Sequence, residues 1–224
     1  MDKVLTGLPK LDSLLEGGFP SKTVILVSGG PGTGKTLFGL NFVVKGASEG
    51  EKCCYLSVCE NEEELLRACE GIDALKDVKK YIEKNLIFKS LTFGEKIDLD
   101  YFTKMFASYP KVDKLVIDNI NKLLTFAENG REYRMRLSEL VGYLKEKVNC
   151  TLLMCETKKD EIDTGNGEAF ECDGIVHLSF LEFEEKPMRT LEVHKLRYTS
   201  FDPKIPHEFV INRKCLKLSG TKII

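Results

Sequence analysis

Short runs of uninterrupted apolar residues alternate along the chain with segments of helical periodicity. Val24-Ile-Leu-Val27, Lys52 to Val58, Leu86-Ile-Phe88, Lys114 to Asp118 and Cys150 to Cys155 have the length and continuity of strands buried on both faces. Between them, Leu37 to about Ser48, the segment beginning at Glu60, Leu99 to Tyr109 and Glu132 to Val148 recur with helical spacing. In the last of these, Leu137, Leu140, Val141 and Leu144 share one face. Asn61 followed by Glu64 has the form of a capping box opening its helix. Near the start, Leu8, Leu11, Leu14 and Leu15 describe a short amphipathic helix stopped by Gly17-Gly18. Ile72 to Asn85 reads as a charged amphipathic helix or pair of helices. Residues 156–172 are polar and read as a mobile loop. Ile175 to Phe180, Arg189 to Arg197, His207 to Asn212 and Cys215 to Leu218 then finish the chain as β-rich structure, expected to be antiparallel. The pattern predicts an α/β fold: a mostly parallel central sheet flanked by helices, with an antiparallel C-terminal part, in one domain over residues 1–224.

The chemistry sits where the first buried strand ends. Val24 to Val27 run into Ser28-Gly-Gly-Pro-Gly-Thr-Gly-Lys-Thr36, which satisfies the phosphate-loop pattern G-x-x-x-x-G-K-[ST] between a strand and a helix. Glycines let backbone N–H groups close around a polyphosphate, and the helix that follows directs its positive end at the same anion. The glycines of this loop, Gly30 among them, are therefore placed to bring backbone N–H groups to a phosphate. Lys35 supplies a mobile charge for the β- and γ-phosphates, and Thr36 a hydroxyl for Mg²⁺. Asp118, ending the strand Lys114 to Asp118, fits the carboxylate that holds the same ion, usually through water.

Composition narrows the setting without changing this picture. A formal net charge of −2 over 224 residues gives no global attraction to nucleic acid or an anionic membrane. Met1-Asp-Lys-Val-Leu lacks the apolar core of a signal peptide and no apolar run reaches transmembrane length, so the expected location is the cytoplasm. The eight cysteines form no C-x-x-C pair and the three histidines no ligand cluster, which reads as free thiols acting as small buried hydrophobes.

Three stretches together resemble the KaiC-like ATPases of the RecA/RadA superfamily. They are Thr6-Gly-Leu-Pro-Lys-Leu-Asp-Ser-Leu-Leu-Glu-Gly-Gly-Phe19, the loop Ser28 to Thr36, and His194-Lys-Leu-Arg-Tyr-Thr-Ser200. The likeness spans roughly residues 4–218 and is to a single KaiC domain. It implies a P-loop NTPase fold of RecA type that binds ATP with Mg²⁺. Gly32, Thr33, Gly34, Lys35, Thr36 and Leu37 would line the triphosphate, while Lys195, Leu196, Arg197 and Thr199 would reach the ATP site of a neighbouring subunit in a homo-oligomer, a hexamer among the options. Two cations one residue apart on a strand share a face, which suits such a contact. An arginine supplied in trans is worth about 10³–10⁵ in rate in other nucleotide hydrolases.

The chain departs from that family at three positions. Where the family commonly carries Glu-Glu after the second strand, the first being the base that activates water, this chain has Cys59-Glu60, so Glu60 becomes the candidate base. Tyr198 replaces a glycine between Arg197 and Thr199, and Phe201 stands where a histidine is often found. Three activities share these motifs: an ATP-driven switch or regulatory ATPase with a protein client, a weakly hydrolysing ATP-dependent assembly or signalling scaffold, and a recombinase binding single-stranded DNA. Lys158 and Lys159 lie among Asp160, Glu161, Asp163, Glu168 and Glu171, an acidic balance that argues against tracking a phosphate backbone.

Overall fold

A computed structural model describes residues 1–82, 84–91, 98–158, 161–183 and 186–222. The first elements are β1 (Lys3–Val4), α1 (Pro9–Leu14), β2 (Phe19–Pro20), β3 (Thr23–Gly29), α2 (Lys35–Ser48), β4 (Cys53–Ser57) and α3 (Glu62–Glu70). The middle of the chain supplies β5 (Leu86–Ser90), α4 (Leu99–Ser108), β6 (Val112–Asp118), α5 (Gly130–Lys147) and β7 (Val148–Glu156). It closes with α6 (Glu168–Glu171), β8 (Gly174–Phe183), β9 (Lys186–Leu196), β10 (His207–Ile211) and β11 (Leu216–Lys222).

One sheet runs in the order β11-β10-β9-β8-β3-β7-β6-β4-β5. Its half from β8 to β5 is parallel, and the rest is antiparallel. The expected mixed sheet is present, with one correction: β8 belongs to both halves, parallel to β3 and antiparallel to β9.

Strand alternation divides the core. Ile25, Val27, Tyr55, Val116 and Met154 face one side with Phe38 and Phe42 of α2, whereas Val24, Leu26, Leu56, Ile117 and Leu153 face the other with Phe102 of α4 and Leu137, Leu140 and Leu144 of α5. Leu8, Leu11 and Leu15 are fully buried, so the N-terminal segment is part of the core. Asp12 Oδ1 accepts from Thr6 N at 2.7 Å and fixes the entry turn. Lys114 is also fully buried, donating to Leu5 O at 2.9 Å with its ammonium over the Phe42 ring. That contact ties the N-terminal segment to the centre of the sheet.

Two other expectations are corrected. Within Ile72 to Asn85 the described residues form only a 3₁₀ turn, Lys76–Lys80, because Ile72, Leu75 and Val78 pack at a spacing of three against α3 and β5. Residues 156–172 are not a free loop. The buried Glu168 carboxylate accepts from Tyr133 Oη at 2.8 Å and Thr164 Oγ1 at 2.5 Å, and Asp163 accepts from the Gly165 and Ala169 N–H groups. A fully buried acid requires such partners, and they order the segment. Lys159 and Asp160 lie outside the described residues. The capping box is present: Asn61 Oδ1 accepts from Glu64 N, and Glu64 Oε2 from Asn61 N. Six cysteines are buried, as expected of small hydrophobes, while Cys59 is exposed and Cys215 half-buried.

Candidate functional site

Parallel strands all point their C-terminal ends at one edge of the sheet, and the candidate chemistry gathers there. Gly29 ends β3, Gly34 adopts φ +103° as N-cap, and α2 begins at Lys35. A Cβ at Gly29 would lie 2.2 Å from Leu178 O, so the loop passes a neighbouring backbone at a distance only glycine permits. Thr33 Oγ1 donates to Gly30 O at 2.9 Å and braces the turn.

Thr36, in the first turn of α2, donates its hydroxyl to Asp118 Oδ2 at 2.8 Å. Alternation along β6 turns Asp118 toward the α2 face, where Tyr55 Oη also donates to the same oxygen at 2.6 Å. Burial, followed by the Asp118 charge, raises the Tyr55 pKa, so the phenol remains a donor. Lys35 Nζ donates to Gly29 O and Gly30 O, each at 2.8 Å. Its pKa is lowered by burial, against which the charges of Glu156 and Asp118 act.

Beyond β4, Cys59 is exposed, and its thiol pKa is raised first by partial desolvation and then by Asp118, which favours the neutral form. Glu60 is half-buried, and its pKa is raised by desolvation and then by Asp118 and Glu64. Its N–H donates to Ser57 Oγ at 2.9 Å. Leu37 is half-buried against the α2-side core.

The remaining candidates lie elsewhere. Leu196 pairs with Gly174, and Gly174 with Ile25, four residues before Gly29. Lys195 and Arg197 therefore sit at the opposite edge of the sheet, about 13 Å along the strands from the loop at ~3.3 Å per residue. Lys195 Nζ donates to Ala169 O and Cys172 O at the end of α6. Arg197 Nη1 meets Asp173 Oδ1 at 3.1 Å and stays half exposed. Thr199 Oγ1 accepts from Lys3 Nζ at 2.7 Å. The Leu196 side chain is buried, leaving its backbone for any contact.

Three residues at the loop escaped the sequence reading. Tyr55 looks like core in the sequence, being an aromatic inside a strand. Glu156 ends β7 beside Gly29, and a strand ending in Glu was the available signal. Arg189 Nε donates to Gly32 O at 3.1 Å with its guanidinium over the Phe180 ring, a contact spanning 157 residues.

Comparison with known proteins agrees with this arrangement. The family model described as "ATPase: KaiC" matches residues 4–222. A UPF0273 protein of Aeropyrum pernix is 43% identical over all of this chain and 96% of its own length. The circadian clock protein KaiC2 of a Synechocystis strain is 28% identical over 87% of this chain, which spans only 36% of that protein. The crystal structure of a KaiC-like protein from the archaeon Pyrococcus horikoshii superposes with a TM-score of 0.84 at 28% identity, covering 97% of this chain and 99% of the other. With its phosphate loop closed against a strand-end aspartate in a RecA-type sheet, the chain belongs to the KaiC ATPase family, as a P-loop nucleotide-binding protein of the RecA superfamily.

Proposed function

We propose that this protein binds ATP with Mg²⁺ at the loop Gly29 to Thr36 and hydrolyses it at subunit interfaces of a homo-oligomer, as an ATP-driven switch. The observation that carries the reading is the 2.8 Å contact between Thr36 Oγ1 and Asp118 Oδ2. A hydroxyl and a carboxylate converging at the start of a helix form the hard oxygen pair that Mg²⁺ takes, its other positions filled by water and phosphate. When bound, the ion neutralises charge developing on the phosphates. Lys35 would leave its carbonyls for the β- and γ-phosphates, with Gly30, Gly32, Thr33, Gly34 and Leu37 around them. Glu60 would accept the proton of the attacking water, because an acid with a raised pKa is the better base near neutrality. Lys195 and Arg197, with Leu196 and Thr199, would complete the site of a neighbouring subunit, since they lie too far along the sheet to serve their own.

Steady-state ATPase assays of wild type, Lys35→Ala and Glu60→Gln test this. Wild-type turnover at the Lys35→Ala level ends the enzyme reading, and full turnover in Glu60→Gln removes Glu60 as base. Mixed oligomers of Lys35→Ala and Arg197→Ala recover partial activity if sites are shared between subunits. The alternative of a weakly hydrolysing scaffold is favoured by the neutral thiol of Cys59. It predicts tight ATP binding with turnover near background.

A further inference from the structure

We propose that the cleft between the edge strand β5 and the C-terminal end of α4 binds a small amphipathic organic anion, an apolar body carrying a carboxylate or a phosphate. The cleft holds about 440 Å³, within the roughly 300–1,000 Å³ of small-molecule sites. It opens where β4, β5 and β6 begin, whereas the phosphate loop lies where the parallel strands end. Val112, on its wall, begins β6, and Asp118 ends the same strand beside Thr36. At ~3.3 Å per residue the two ends lie about 20 Å apart. A guest in the cleft is therefore bound apart from the nucleotide.

The walls follow from the sequence. α4 stops at Ser108 because Pro110 cannot continue it, and the chain turns through Tyr109 and Pro110 into β6. Along β5, the last strand on its side of the sheet, alternation puts Ile87 and Lys89 on the α4 side, away from Leu86 and Phe88. Ile87 and Tyr109 pack against the core there yet stay half exposed. Lys89 Nζ lies 5.7 Å from the centroid of the Tyr109 ring. An apolar floor left within reach of water gains by taking an apolar guest.

The rim is cationic. Lys52, Lys84 and Lys111 line the cleft, all three exposed, and among the described residues no carboxylate lines it with them. Asp113 comes only within 3.7 Å of Lys111, and it is buried and engaged, accepting from Lys52 N at 2.9 Å and Asn149 Nδ2 at 3.1 Å. Lys52 Nζ rests on the Lys84 carbonyl at 3.0 Å. Lysines elsewhere on the surface behave differently: Lys45, Lys79, Lys80 and Lys104 each meet a carboxylate at 2.6–2.9 Å. Three ammonium groups gathered over an apolar floor, in a chain of net charge −2, mark a place for an anion. Lysines act as point charges without a fork, so the rim accepts a carboxylate or a phosphate.

Fluorescence titration of the full-length protein with anilinonaphthalene sulfonate, an aromatic anion, tests this in the presence of saturating ADP and Mg²⁺. The wild type binds the probe at one saturable site. Lys84→Glu/Lys111→Glu, two exposed changes that leave the core untouched, weakens binding about tenfold or more, because attraction at the rim becomes repulsion. Uncharged phenylnaphthylamine keeps its affinity within about twofold in that variant, since its binding rests on apolar area alone. Tyr109→Ala weakens both probes. Naphthoate and naphthyl phosphate compete with the sulfonate, and the stronger competitor identifies the head group. The proposal is overturned if saturable binding is absent, if the double lysine variant binds the sulfonate like wild type, if it loses the neutral probe equally, or if both competitors fail.

Discussion

The Thr36 hydroxyl donates to the Asp118 carboxylate at 2.8 Å and so joins the first turn of α2 to the end of β6. Tyr55 completes the arrangement from β4 at 2.6 Å, giving one carboxylate oxygen two donors from two elements. Tyr55→Phe removes one donor from a buried anion. We expect a loss of about 1.5–3 kcal/mol in unfolding free energy, the usual worth of a hydrogen bond to a charged group. Urea unfolding of the variant beside wild type measures it.

Backbone proximity ranks two glycine substitutions. A Cβ at Gly29 meets the Leu178 carbonyl at 2.2 Å, whereas one at Gly34 meets the end of the Ile211 side chain at 2.4 Å. A side chain can rotate away and a strand carbonyl cannot. Gly29→Ala should therefore destabilise more than Gly34→Ala, although the latter still forces alanine into φ +103°. Thermal unfolding in the absence of nucleotide gives the order.

The Glu60 carboxyl is held above the ordinary value of 4.5 by desolvation, then by Asp118 and Glu64. An acid with a raised folded-state pKa binds more protons folded than unfolded within that window, so its contribution to stability falls as pH rises through it. Relative to Glu60→Gln, wild type should lose stability from pH 4.5 up to the raised pKa and run parallel above it. Paired pH titrations of unfolding free energy check the sign. The acidic limb of kcat/KM should fall in the same window, above the range of a free carboxylate.

Arg189 clasps the loop from outside, through Gly32 O and the Phe180 ring. In Arg189→Ala the amides of Gly30, Gly32 and Thr33 should exchange with deuterium faster, by about fivefold or more if a typical net hydrogen bond of ~1 kcal/mol is lost. Exchange followed by mass spectrometry reads this without requiring turnover.

Asp173 is fully buried and accepts from Lys145 Nζ at 2.8 Å, Arg197 Nη1 at 3.1 Å and Val24 N at 3.1 Å. Both cations are partly exposed, which weakens each pair through solvent screening. Asp173→Asn should cost about 2 kcal/mol, less than breaking a wholly buried pair. It should also free Arg197 while leaving the phosphate loop unchanged. Unfolding measurements, together with nucleotide affinity as a control, separate the two effects.

The elements legible in the sequence were those specified by neighbours in the chain. Val24 to Val27 with the glycines and Lys35 announce a strand, a phosphate loop and a helix, and Asp118 follows from an apolar run ending in an acid. Asn61 and Glu64 announce a cap because its partners are three residues apart. What escaped depends on residues far apart in sequence. Glu168 looks like a loop acid until Tyr133, 35 residues earlier, meets it, and Asn121 acquires a role only beside the end of β7. Ile72, Leu75 and Val78 satisfy a helical pattern as well as a 3₁₀ one, and packing decides between them.

The strand register has a consequence for how copies can meet. Each chain offers its basic pair at one end of the sheet and its loop at the other. Where Arg197 serves a neighbour's loop, two copies serve each other only if their sheets run antiparallel about a twofold axis, and any other such contact runs head to tail. A row of such copies always ends in one whose loop goes unattended. Only a closed assembly, whether a reciprocal pair or a ring, leaves none idle, so turnover per chain should climb with concentration until the assembly closes and then stay level.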